Sequence, residues 1–135
     1  MTVLRIKLLR WATAAGPWLL GVYWVILYTL THVPVPSGPP GSDKILHIAA
    51  YFVLAFLFSM VLYTRDVPTR RLVITTIVSL CAFAVFDEVT QELVNRHCDP
   101  LDALADSVGI VLGISALLWS TRRVFPGGEG RKEEG

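Results

Sequence analysis

Four stretches of the chain run apolar for long enough to cross a hydrocarbon core, which takes about 20 helical residues. From Trp11 to Thr31 there is no charged side chain. Ile45 to Thr64 carries one histidine and is otherwise uncharged. Leu72 to Phe86 is also free of charge, and continues to Val94 only if Asp87, Glu88 and Glu92 are admitted to its far end. Leu101 to Thr121 has Asp102 and Asp106 near its start. The pattern predicts an all-α, integral membrane four-helix bundle with spans over about 11–33, 45–64, 72–94 and 101–121. A short N-terminal segment, 1–10, precedes the domain of 11–121, and 122–135 forms a flexible tail.

The connections carry the expected punctuation. Pro34, Pro36, Pro39 and Pro40, with Gly38 and Gly41, predict a non-helical first loop. Ser42 can cap the second helix, and Pro68 separates the second span from the third. Asp99 followed by Pro100 reads as an N-cap and a first helical residue. The apolar run of the first span is too long for a cleaved signal, so it is expected to stay as an anchor.

Composition agrees with a membrane protein. Of 135 residues, 53% are apolar and only 17% charged, against about 25% charged in soluble domains. The net charge of +1, with no basic stretch interleaved with aromatics, gives no ground for a nucleic-acid partner. Cys81 and Cys98 cannot make a disulfide framework. The distribution of charge is more informative than its sum. With alternating crossings, Arg5, Lys7, Arg10, Arg65, Arg70, Arg71, Arg122, Arg123, Arg131 and Lys132 fall on one side, and Lys44 and Arg96 on the other. The positive-inside rule then predicts both termini in the cytoplasm.

The acids are the anomaly. At about 1.5 Å per residue, His47 lies roughly one turn below the outer boundary. Counting along the third and fourth helices brings Asp87, Glu88 and Asp106 to a similar depth. Asp43, His47 and Tyr51 are i, i+4 neighbours, as are Asp87 and Gln91. Asp102, Asp106, Gly109 and Gly113 form one stripe, and its Gly-x-x-x-Gly portion permits close helix approach, within the bundle or between copies as a homo-oligomer. An ionised carboxylate deep in a bilayer costs on the order of 2.5–3.5 kcal/mol on insertion scales. As a purely structural feature, the set would be an ion-pair network neutralised by Lys44, Arg96 and His47. As a functional one, it is an outward polar pocket built from the second, third and fourth helices.

Ser42, Asp43, Lys44, Ile45, Leu46 and His47, followed by Tyr51, Phe52 and Leu54, resemble the first signature of the VanZ-like membrane proteins. Asp87, Glu88, Gln91, Arg96, Asp102, Gly109 and Gly113 resemble the second. The likeness covers about 42–119. Two departures are visible: Asp106 stands where the family usually has Asn, and the step from Gln91 to Arg96 is one residue shorter. The resemblance implies a bacterial cell-envelope protein of the cytoplasmic (inner) membrane. The family's namesake accompanies glycopeptide-resistance genes and lowers sensitivity to teicoplanin, a lipid-bearing glycopeptide.

Three functions suit these residues. The first is binding of a lipid or glycan head group, from membrane lipids or lipid-linked envelope precursors. In it Lys44 and Arg96 hold phosphate or carboxylate, while Asp43, His47, Tyr51, Asp87, Glu88, Gln91, Asp102 and Asp106 complete the site. The second is acid/base catalysis on outer-leaflet head groups. Here His47 is held by Asp43 one turn away, and Asp87 and Glu88 share a proton. The third is proton-coupled transport through Glu88 or Asp106. No nucleophile elbow, phosphate-binding glycine loop or complete metal motif is present, so neither a cofactor nor a metal is expected. A site from His97, Cys98 and Asp99 with His47 would require adjacent loop residues to converge on one ion. His32 is expected to be interfacial, and Trp11, Trp18, Trp24 and Trp119 to belong to interface belts and packing.

Overall fold

The structure is a computed structural model that describes residues 3–33, 42–92 and 100–124. The proline-rich loop, the 93–99 loop containing Arg96, and the tail lie outside the described residues. Four helices follow in order: α1 (Val3–His32), α2 (Ser42–Thr64), α3 (Thr69–Glu92) and α4 (Pro100–Val124). All four are long and apolar enough to span a membrane, over Arg10–His32, Asp43–Thr64, Thr69–Gln91 and Leu101–Arg123. Pro17 sits inside α1 without ending it. Membrane helices tolerate such a residue because neighbouring groups re-satisfy the freed backbone.

Each helix passes the last in the opposite sense. Gly16 in the first half of α1 packs by Met60 and Val61 near the end of α2, and Ser59 of α2 meets Thr76 of α3 at 3.1 Å. Consequently α2 runs parallel to α4, with His47 beside Asp106, and α1 parallel to α3, with Thr31 beside Asp87. Arg10, Arg65, Arg70, Arg71, Arg122 and Arg123 are all exposed and share the end opposite these pairs. The bundle therefore has one arginine-rich end and one acidic end.

Lipid tails are as apolar as leucine, so close packing drives helix association here more than expulsion of water does. The most extensive contact is between α2 and α4. It is made by the stripe of small residues. A Cβ on Gly109 would lie 2.5 Å from the Ile48 carbonyl oxygen and 3.0 Å from the Phe52 nitrogen. One on Gly113 would lie 2.9 Å from the Ala55 Cβ. The two backbones touch only because both positions lack side chains. The surface expected to serve homo-oligomer contacts through Gly109 and Gly113 is thus filled by α2 of the same chain.

Tyr51, Leu54, Ala55, Leu80 and Ile110 form the buried centre. Trp24 packs against it edge-on to Phe58 and Phe83, with ring centroids at 5.9 and 5.0 Å. Half-buried Cys81 joins the same cluster. Trp11, Trp18 and Trp119 instead point outward, as lipid-facing residues do. On α1, the Tyr23 hydroxyl donates to the Ala50 carbonyl of α2 at 2.9 Å, fixing the rotation of the first helix.

The turn after α2 is a Schellman cap. Val67 N–H bonds the Leu62 carbonyl at 3.2 Å and Asp66 N–H the Tyr63 carbonyl at 3.1 Å, with Asp66 at φ 60°. That left-handed residue then leads through Pro68, whose carbonyl accepts from Leu72 N–H, into α3.

Two expectations follow, both checked by thermal unfolding in detergent. Gly109→Ala should destabilise the bundle by about 1–3 kcal/mol through overpacking. Gly21→Ala, where the added carbon meets nothing within 4 Å, should leave the midpoint unchanged or raise it slightly. At the cap, Asp66→Gly should be neutral or stabilising, whereas Asp66→Val should cost about 1–2 kcal/mol, because a β-branched side chain tolerates the left-handed region far less well than the short polar Asp.

Candidate functional site

The acidic end is built from two adjoining clusters, each spanning a parallel pair of helices. In the first, Lys44 on α2 bonds Asp102 on α4 and lies 3.2 Å from Asp43. One turn deeper, His47 Nδ1 donates to Asp106 Oδ1 at 2.8 Å, while its Nε2 lies 3.8 Å from Asp102 Oδ2. Lys44 and His47 are three residues apart on α2, and Asp102 and Asp106 four apart on α4. One face of each helix thus presents two charges that meet two on the other. The glycines continue the Asp102 and Asp106 stripe and set this register. Asp106 is buried at 3% exposure.

The second cluster joins α1 to α3. Asp87, equally buried at 3%, accepts from Thr31 Oγ1 at 2.8 Å through one oxygen and from Gln91 Nε2 at 2.7 Å through the other. His32 Nδ1 is 3.8 Å from Asp87 Oδ1 and donates to the Tyr28 carbonyl at 2.8 Å. Its Nε2 lies 3.0 Å from the Thr90 hydroxyl. The Tyr28 ring lies against the His32 ring at 4.1 Å between centroids.

Tyr51 connects the two. It sits one turn below His47, is 1% exposed, and its hydroxyl has no hydrogen-bond partner among the described residues. Its ring centroid lies 6.3 Å from that of Phe83 on α3, and its Cβ faces Gly109 on α4. A buried phenol without a partner carries the cost of desolvation with no compensating bond.

Several sequence expectations change. His47 is oriented by Asp106 and Asp102 of α4, not by Asp43, because the stripe turns the imidazole toward α4 and leaves Asp43 largely exposed beside Lys44. Lys44, expected to hold an anion, is engaged by two carboxylates. Asp87 is not paired with Glu88: successive residues point about 100° apart on a helix, so Asp87 turns to Thr31 and Gln91 while Glu88 is half-buried. The site also draws on α1, not only on α2, α3 and α4. His32 and Thr31 were missed because the span from Trp11 to Thr31 carries no charge; their signal was position, since that span ends at the depth where the acids lie. Gln91 bonds Asp87 at the expected i, i+4 spacing.

Arg96, Asn95, His97, Cys98 and Asp99 lie outside the described residues. Among the described residues, no three His, Cys, Asp or Glu side chains group as a metal site. Below the second cluster an apolar groove of about 320 Å³ opens between α1 and α3, lined by Trp24, Val25, Tyr28, Phe83 and Phe86.

No curated protein and no solved structure matches the chain. A family model described as VanZ/LLP1 matches residues 13–122. The match reaches all four apolar helices and takes in every described residue of both clusters, so the chain belongs to the VanZ/LLP1 family, as a member with four helices long and apolar enough to span a membrane.

Proposed function

We propose that this protein binds the polar head group of a lipid or lipid-linked glycan at the acidic end of its bundle. On the positive-inside rule, that end faces out of a bacterial cytoplasmic membrane. The observation that carries the reading is the Tyr51 hydroxyl, one turn below His47 and buried with no hydrogen-bond partner among the described residues. A structural ion-pair network requires every member to be satisfied, since each buried group left over subtracts from stability. A binding site does not, because its ligand completes the set. Asp87, Glu88, Asp102 and Asp106 are acceptors, so the head group supplies donors: hydroxyl, amide or amine. By occupying such head groups, the protein would change how teicoplanin-type glycopeptides reach the envelope.

A second reading, acid/base catalysis on the same head groups, draws on one contact. The 2.8 Å bond from His47 Nδ1 to Asp106 resembles the carboxylate that orients a catalytic imidazole. Lipid analysis separates the two. Cells expressing the wild type are compared with cells expressing Asp87→Asn with Glu88→Gln, and lipids co-purifying with each protein are measured by mass spectrometry. Binding predicts identical bulk lipids and one species enriched about tenfold or more on the wild type, the loss expected when charged acceptors are neutralised. A new or depleted bulk species would make the protein an enzyme. No enriched species and no bulk change would contradict both.

A further inference from the structure

Arg10, Arg65, Arg70, Arg71, Arg122 and Arg123 share the end of the bundle opposite the carboxylate clusters, and every one is exposed. Among the described residues Asp66 is the single acid at that end. The ion pairs between described residues all belong to the other end, and none engages an arginine. Like charge that the fold does not neutralise repels itself and attracts anions.

Two observations say which anion. The first is depth. Arg10 and Arg123 are the terminal residues of two apolar spans, and each stands beside an outward-facing tryptophan. Trp11 follows Arg10 directly, and the Arg123 guanidinium lies over the Trp119 ring, 4.5 Å from its centroid. Exposed tryptophan marks the level of lipid head groups, so these cations stand in the head-group plane. The second is residue type. Orientation by the positive-inside rule needs charge alone, which lysine supplies equally. Yet every cation whose side chain is described at this end is arginine, and the guanidinium fork bonds two phosphate oxygens at once.

We propose that the arginine-rich end is a docking surface for anionic phospholipid, whose phosphodiester is held by Arg70 and Arg71 at the start of α3 and by Arg122 and Arg123 at the end of α4. These helices run antiparallel and pack together, so the two arginine pairs occupy adjoining helix ends. The Trp119 ring directs Arg123 before lipid arrives. On the positive-inside rule the surface meets the cytoplasmic leaflet, where anionic lipid attracts basic segments. It is separate from the acidic end, and its success or failure leaves the head-group reading there untouched.

The test uses the whole protein in nanodiscs of mixed phosphatidylglycerol and phosphatidylethanolamine with identical acyl chains, and counts retained lipid by native mass spectrometry. The wild type should enrich phosphatidylglycerol about tenfold or more over the ratio in the disc. Replacing Arg70, Arg71, Arg122 and Arg123 together by Gln should bring that ratio to within about twofold of the disc, with the unfolding midpoint unchanged because all four are exposed. Replacing the same four by Lys keeps every charge. A loss of enrichment of about threefold or more then supports guanidinium bonding to phosphate, whereas full enrichment would overturn the docking surface and leave general attraction. Trp119→Leu should weaken enrichment about twofold or more, since Arg123 loses the ring that directs it. Inorganic phosphate at millimolar concentration should not displace the lipid, and full displacement would overturn the lipid as the source of the anion. Equal retention of the two lipids by the wild type, or capture of a labelled RNA oligonucleotide in place of phosphatidylglycerol, would overturn the proposal.

Discussion

The close approach of α4 to α2 governs the rest of the molecule. At Gly109 and Gly113 there is no space for a single carbon between the helices, so their axial register is fixed by backbone contact, not by adjustable side chains. Along the same stripe, about one turn beyond Gly109 lies Asp106 and about two turns beyond it Asp102. The register that seats the glycines therefore seats the acids opposite His47 and Lys44. In a bilayer, where hydrocarbon surrounds the bundle and offers little drive for association, such contact is the means by which helices hold a defined geometry. Polar pairing then adds direction, and the result is a rigid pair of helices against which α1 and α3 close.

The consequence is a strong separation of charge along the bundle. Arginines collect at one end, exposed and free to meet water or anionic head groups, while carboxylates collect at the other and lie partly within the span. An interior acid is costly in a membrane, and pairing with Lys44 or His47 recovers part of that cost. The partners suffice for Asp102 and Asp106. For Asp87 they are neutral, Thr31 and Gln91, with His32 further away. The described part of that end stays acidic, and below it lies a buried phenol with no hydrogen-bond partner among the described residues. Both features are disadvantages for a structural network and advantages for a site that accepts donors.

The four spans were legible in the sequence because uninterrupted apolar runs allow little else, and family membership was legible in charged residues at fixed separations. The polar layer was legible too, since depth follows from counting residues. What spacing within one helix could not give was pairing between helices. The i, i+4 rule offered Asp43 to His47, but the glycine stripe, being in line with Asp106, turned His47 to α4. Lys44 looked available because its nearest acid in sequence is a neighbour at the surface, and the stronger partner, Asp102, comes from 58 residues away. Thr31 and His32 were hidden for the opposite reason: the uncharged span that ends at them shows nothing until a second helix brings Asp87 against it.

The central claim is that the charged layer exists for a ligand and not for the stability of the bundle. Its most direct test is the unfolding midpoint of the double variant His47→Leu with Asp106→Leu, measured in detergent without added lipid. Replacing a buried ion pair by apolar groups of similar volume is often neutral or stabilising, so a pair that holds the helices together would be the exception. The account predicts a midpoint equal to or above that of the wild type. A double variant that melts well below wild type would show that the His47 and Asp106 pair holds the helices together, and would contradict the claim.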